Sequence, residues 1–287
     1  MQDELALAIC AQLEPRIRIS DIQLGASLKS TPAWRMWQEG WYRLFVDAPQ
    51  PRPERSLKLF RDALELEPDC PLAHAGLFIV ISTSLLWGGM GPQAIVEARQ
   101  HVERASKQLP AGNATVMYAL GMLSFVGGDS LETVIDYVGA AVDQEPSNPM
   151  YHGILGYLPA HVGRIREGLD RCLYAMRLSP RDSREPLLCY MLGNAYIAAG
   201  EYQRGIESFN RCPRFSEVDF VWLMVAYGHH CLGDFRRARE SLSRIETPRS
   251  RSFYEGSLRY RLWLSHPDEL KLPFIKFLTE HLFRRDA

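Results

Sequence analysis

Charge of one sign is what this sequence lacks most plainly. Its 287 residues carry 33 Lys and Arg against 34 Asp and Glu, a net charge of −1. No general attraction to nucleic acid or to an anionic bilayer is therefore expected. Cysteine is sparse. Cys10, Cys70, Cys172, Cys189, Cys212 and Cys231 stand with no Cys-x-x-Cys pair and no regular spacing, so reduced thiols at helix interfaces and a cytoplasmic setting are expected. Long apolar runs are missing too: the most apolar stretch, Leu77 to Trp87, is far short of the ~20 residues that span a bilayer. The acidic Met1-Gln2-Asp3-Glu4 start does not read as a secretory signal.

Catalytic signatures are also wanting. No His-Glu-x-x-His, no phosphate-binding Gly-x-x-x-x-Gly-Lys-Ser/Thr, no Gly-x-Ser-x-Gly and no dinucleotide-binding glycine set occurs. Gly88 to Gly91 has neither the Lys nor the Ser or Thr that cradling a phosphate requires. His229-His230 has only Cys231 and Asp234 nearby, too few ligands for a metal. No cofactor, no metal and no enzymatic activity are predicted. What is present is material for a core: 46% apolar residues, 12 Phe, 12 Tyr and 6 Trp, a composition that folds. At this length the chain is two domains or one elongated array. Between Arg236 and Arg261 eight Arg stand against three Glu, which reads as a solvated helix surface, with a partner-binding face as the alternative.

A repeat organises the chain. Ala63…Pro68, Ala105…Pro110, Ala141…Pro146 and Ala175…Pro180 share an Ala five residues before a Pro, and the prolines recur at intervals of 42, 36 and 34 residues. Proline does not continue a helix, so these positions mark helix ends at one phase of a repeating unit. Within the units, Leu192-Gly193-x-x-Tyr196 precedes Gly200-x-Tyr202, Gly205, Phe209 and Cys212. Trp222, Val225-Ala226, Gly233-Asp234-Phe235, Ala238 and Leu242 follow in the same order, and Leu155-Gly156, Gly163, Gly168, Cys172 and Ala175 precede them. Leu120-Gly121, Gly127-Gly128, Val134, Val138 and Ala141 repeat the pattern with one residue inserted in the turn. The small residues are expected to let two helices approach, and Tyr196, Phe209, Phe235 and Leu242 to fill the space between turns. The turn glycine is expected to end the first helix left-handed.

This text resembles the tetratricopeptide repeat, a helix–turn–helix unit of 34 residues. The resemblance implies an all-α fold, a right-handed superhelical solenoid of antiparallel helix pairs. It divides the chain into a leading helix and linker (1–30), an array of about six repeats over 31–250 (31–68, 71–110, 114–146, 149–180, 186–217, 219–250) and capping helices over 251–287. The first two units have long turns, around Pro49, Pro51 and Pro53 and around Gly88 to Pro92, which loop entropy tolerates. A second likeness lies in Gln2-Asp3-Glu4-x-Ala6-x-Ala8-Ile9 and Leu13-Glu14-Pro15-x-Ile17, with Ala33-Trp34. It is similar to the helix that leads into the repeats of bacterial regulatory proteins carrying a winged-helix or class III nucleotide-cyclase domain. Neither output domain is present here.

The family resemblance implies a ligand groove on the first helices of the units. Carried onto this sequence it comprises Tyr118, Met122, Phe125, Tyr157, His161, Leu187, Tyr190, Asn194, Ile197, Phe220, Leu223, Tyr227 and His230. That surface is mostly aromatic and apolar and suits capture of a helix or an extended peptide. A chaperone-type carboxylate clamp is not expected: Asn194 holds one of its places, but Leu187 and Tyr190 stand where it needs Lys. The expected partner is a protein or peptide, with no nucleic acid bound directly, no membrane, and self-association allowed. The amphipathic run Phe274, Ile275, Phe277, Leu278, Leu282 and Phe283 is an alternative occupant of the groove from within the chain.

Overall fold

The computed structural model describes residues 31–46, 54–86, 90, 93–110, 112–178, 185–211, 219–245 and 266–281. Among them are thirteen helices and no strand. In chain order they are α1 (Thr31–Val46), α2 (Glu54–Leu66), α3 (Pro71–Leu86), α4 (Ala94–Gln108), α5 (Ala114–Gly127), α6 (Leu131–Gln144) and α7 (Pro149–His161). There follow α8 (Ile165–Leu178), α9 (Glu185–Ala198), α10 (Tyr202–Asn210), α11 (Asp219–Cys231), α12 (Phe235–Leu242) and α13 (Asp268–His281). The described residues form two compact units, one of those up to 151 with 177–178 and one of those over 152–176 and from 185 onward.

In both units a first helix returns on a second through a short turn, and four of these turns are chemically alike. Gly128, Gly163, Gly200 and Gly233 have φ of 88°, 83°, 75° and 77°, a region where only a residue without Cβ sits at ease. After each of them the next amide donates back to a carbonyl five residues earlier: Asp129 to Ser124 (3.0 Å), Arg164 to Pro159 (3.0 Å), Glu201 to Tyr196 (2.9 Å) and Asp234 to His229 (2.9 Å). This is the Schellman closure of a helix end. After two of the turns the next helix begins under a side-chain cap: Ser130 Oγ accepts from the Thr133 amide (3.2 Å) and Asp234 Oδ1 from the Arg237 amide (3.0 Å). At the proline ends, Asn113 Oδ1 caps α5 through the Thr115 amide (3.0 Å), and the buried Asn148 Oδ1 takes the Met150 amide (3.1 Å).

The core follows from paired small and large residues. In the first unit the buried Phe60 ring of α2 lies between Gly40 of α1 and Gly76 of α3. A Cβ at either glycine would stand 2.8 Å or 2.5 Å from that ring. Trp41 meets the same ring edge-on at 6.2 Å. In the second unit Phe209 of α10 presses on Gly193 of α9 in the same way, with a Cβ 2.8 Å from the ring. Gly156 and Gly168 bring α7 and α8 so close that a Cβ on Gly156 would lie 2.6 Å from the Cys172 backbone nitrogen. Cys172 is accordingly a core thiol, which burial pushes up to about 12. Phe235 departs from expectation. It is 57% exposed rather than filling a gap: its ring meets His230 of α11 edge-on at 5.4 Å and leaves its other side to solvent.

Candidate peptide-binding groove

The thirteen residues of the expected groove fall into different surroundings. On α5, in the first unit, Met122 is buried while Tyr118 and Phe125 stay half-buried. The Tyr118 ring lies 5.3 Å from that of Tyr151. In the second unit the first helices bring most of the remainder together. Tyr157 stands edge-on to His161 at 4.7 Å on α7 and meets Tyr190 of α9 at 6.0 Å. Leu187 is half-buried. Asn194 is buried and donates from Nδ2 to the Tyr190 carbonyl at 2.8 Å. Its Oδ1 has no partner among the described residues.

Ile197 is different, for its side chain fills the space beside Gly205 of α10 and Gly228 of α11. It is packed between helices, where the missing glycine side chains leave room. Phe220 and Leu223 of α11 are buried as well. Tyr227 and His230 lie at the other end of α11, six and three residues before the glycine turn at Gly233.

What meets Tyr227 and His230 is α13, and what meets His161 is His266 just before it. Phe274, Phe277 and Leu278, spaced i, i+3 and i+4, form the buried face of this helix. The Tyr227 ring lies 5.1 Å from Phe274, edge-on, and 5.4 Å from Phe277. His230 meets Phe277 at 5.0 Å and His281 at 5.1 Å. At the entrance to the helix, His266 faces His161 at 4.4 Å, and Pro267 Cγ would stand 3.2 Å from a Cβ added at Gly163. Of the amphipathic run expected as an occupant, Phe274 and Phe277 thus meet this face within the second unit, while Leu282 and Phe283 lie outside the described residues. His266 and His281 carry no such pattern, and the sequence offered no signal for either.

Burial governs the electrostatics of this face. His266 is lowered to about 4 by burial, and His161 lies well below its usual value, first through burial and then through the facing His266. His230 is lowered by burial and by His281. The Tyr227 hydroxyl is raised by burial and by Cys231, whose thiol shares hydrogen bonds with Tyr227 and Tyr202. These are neutral, ring-rich surroundings, suited to apolar packing rather than to proton transfer. Among the described residues no group of three or more His, Cys, Asp or Glu is placed to hold a metal ion. No described helix is long and apolar enough to cross a membrane.

No protein-family model matches the sequence, and no curated protein matches it significantly. Solved structures do. The human IFIT1 dimer with m7Gppp-AAAA superposes with a TM-score of 0.61 at 16% identity, covering 94% of this chain and 65% of that one. This chain therefore spans less than two thirds of IFIT1. PilF of Pseudomonas aeruginosa gives a TM-score of 0.48 at 18% identity, covering 82% of this chain and 97% of that one. A tetratricopeptide repeat protein from Parabacteroides merdae gives 0.46 at 14%, covering 88% and 92%. With the glycine-closed helix pairs described above, the likeness to IFIT1 identifies the fold as all-α, built of antiparallel helix pairs of the tetratricopeptide type.

Proposed function

We propose that this chain is a non-catalytic scaffold that holds a helix or peptide of another protein on the inner face of its first helices. One observation carries the reading. In the second unit that face, through Tyr227 and His230, already receives an amphipathic helix by its Phe274 and Phe277 rings. Helix-in-groove recognition works by such apolar anchors at i, i+3 and i+4. Aromatic side chains give large contact areas at small entropic cost, each worth about 1.5–3 kcal/mol on full burial. The half-buried Tyr118, Phe125, Tyr157 and Leu187 are the positions left to contribute further contacts.

The likeness to IFIT1 raises RNA as a ligand, since that protein is seen with m7Gppp-AAAA. Balanced charge and an aromatic face favour a protein segment instead. The six-unit array with its capping helices and a cytoplasmic setting belong to the same reading. A sensory role in a bacterial signalling or transcription-regulatory system is the second reading. It rests on the residues 2–17 pattern, which lies outside the described residues.

Affinity capture with quantitative mass spectrometry tests the scaffold. Tyr157→Ser/Leu187→Ser and Tyr118→Ser/Phe125→Ser variants are each expected to lose partners at least about threefold. Equal recovery of every wild-type partner by both variants, with native helicity, would sink the reading.

A further inference from the structure

The contacts that α13 makes with α11, its seat, are between rings: Phe274 and Phe277 with Tyr227, and Phe277 and His281 with His230. Phe274, Phe277 and Leu278 are 0%, 1% and 0% exposed, while the opposite side of the helix carries the 55% exposed Leu272. The charged side chains of α13 look after themselves. Lys271 pairs with Asp268 at 2.7 Å and Lys276 lies 4.0 Å from Glu280. The Thr279 hydroxyl bonds the Ile275 carbonyl of its own helix at 2.9 Å. Among the described residues, none of these groups makes a hydrogen bond or ion pair to the helices beneath. An interface of this kind specifies spacing and shape, and any helix with the same apolar spacing satisfies it.

The helix is also poorly fitted to stand by itself. Pro273 lies inside it, and proline removes one backbone hydrogen bond and crowds the turn before. A 14-residue helix is marginal in water even without that defect. Its helical state is therefore maintained by the seat, which makes docking and helix formation one event. At both ends, moreover, an imidazole faces another imidazole: His161 with His266 and His230 with His281.

We infer that α13 is an internal ligand: it occupies a site on the second unit whose external ligand is an amphipathic helix with Phe-x-x-Phe-Leu spacing, and that ligand enters as α13 leaves. The inference rests on the scaffold reading for its biological use, and names both the partner chemistry and the way the site is closed. As a tethered segment, α13 competes at the millimolar effective concentration of an intramolecular ligand, so the closed form dominates until a competing helix is abundant or better fitted.

The probe is a fluorescent synthetic peptide of residues 266–281, offered to the full-length chain. A full-length Phe274→Ser/Phe277→Ser variant is expected to bind it at least about tenfold more tightly than wild type. A peptide with the same two Ser replacements is expected not to bind. Equal binding by wild type and variant, or no binding by a variant of native helicity, overturns the inference. Should the variant fold poorly, hydrogen exchange on wild type decides. About 1 mM peptide, near the effective concentration it must overcome, is expected to speed exchange across 268–281 relative to the Ser-substituted peptide. Unchanged exchange overturns the inference. Peptide binding without any partner loss in the groove variants would keep the internal ligand and sink the scaffold. Partner loss without peptide binding would do the reverse.

Discussion

Gly156 and Gly139 are both helical glycines, yet an added methyl group meets opposite surroundings at the two. At Gly156 it would lie 2.5 Å from the Cys172 sulfur, 2.6 Å from the Cys172 nitrogen and 2.7 Å from the Gly168 carbonyl. Two of those three atoms are backbone, which cannot swing aside, so α7 and α8 would have to separate. At Gly139 nothing lies within 4 Å, and only the entropic disadvantage of glycine in a helix remains. Gly156→Ala is expected to cost about 3 kcal/mol, at the upper end of overpacking. Gly139→Ala is expected to add about 0.5–1 kcal/mol of stability. Thermal melts of the two variants check this, and a like change in both would refute the close approach of the helices. The small-residue positions were legible in the sequence because only Gly or Ala recurs there. Phe235 was not, since its burial depends on which helix comes next: Tyr202, at the same phase one unit earlier, meets Tyr227 of the following helix at 6.4 Å.

At the scale of helices, buried imidazoles tie stability to pH. His101 of α4 lies with its Nδ1 2.8 Å from His74 Nδ1, and burial followed by the His74 charge lowers it to about 4. His266, before α13, is lowered by burial to about 4 as well. Folded-state values below the ordinary 6.5 mean that the unfolded chain binds more protons between pH 6.5 and 4. Stability is therefore fullest above about pH 6.5, falls as the pH drops, and stops falling near pH 4. Each such group loses about 2 kcal/mol between pH 6.5 and 5. The melting temperature should drop several degrees over that interval, and His101→Phe/His266→Phe should flatten the curve. An unchanged slope would assign the pH dependence elsewhere. None of this was visible in one dimension. His74 and His101 are 27 residues apart, and only the return of α4 onto α3 brings their rings together. The glycine turns were visible, because a left-handed helix end has one preferred residue. The spacing of Phe274, Phe277 and Leu278 announced a buried face, but the surface that buries it is set by tertiary placement.

For the whole chain, the near equality of 33 basic and 34 acidic residues is spent locally. Lys58–Asp62, Arg164–Glu167, Arg204–Glu201 and Arg236–Glu240 pair within 3 Å along or beside single helices. Arg237 approaches Asp234, and Arg244 stacks on Trp222 at 4.3 Å, so the described part of the Arg-rich stretch serves its own surface. Exposed pairs of this kind contribute little to stability, but among the described residues they set these charges against one another rather than toward a ligand. Recognition then has to come from apolar contact, and its response to ions follows. Binding of the 266–281 peptide to the Phe274→Ser/Phe277→Ser chain should change less than about threefold between 50 and 200 mM sodium chloride. A ligand held by six or more phosphate contacts would lose about a thousandfold over that range. Sodium sulfate, which strengthens apolar burial by exclusion from the protein surface, should tighten the same complex. Fluorescence anisotropy in the two salts separates the mechanisms: steep weakening in chloride would mean that charge holds the helix, and tightening in sulfate that its rings do.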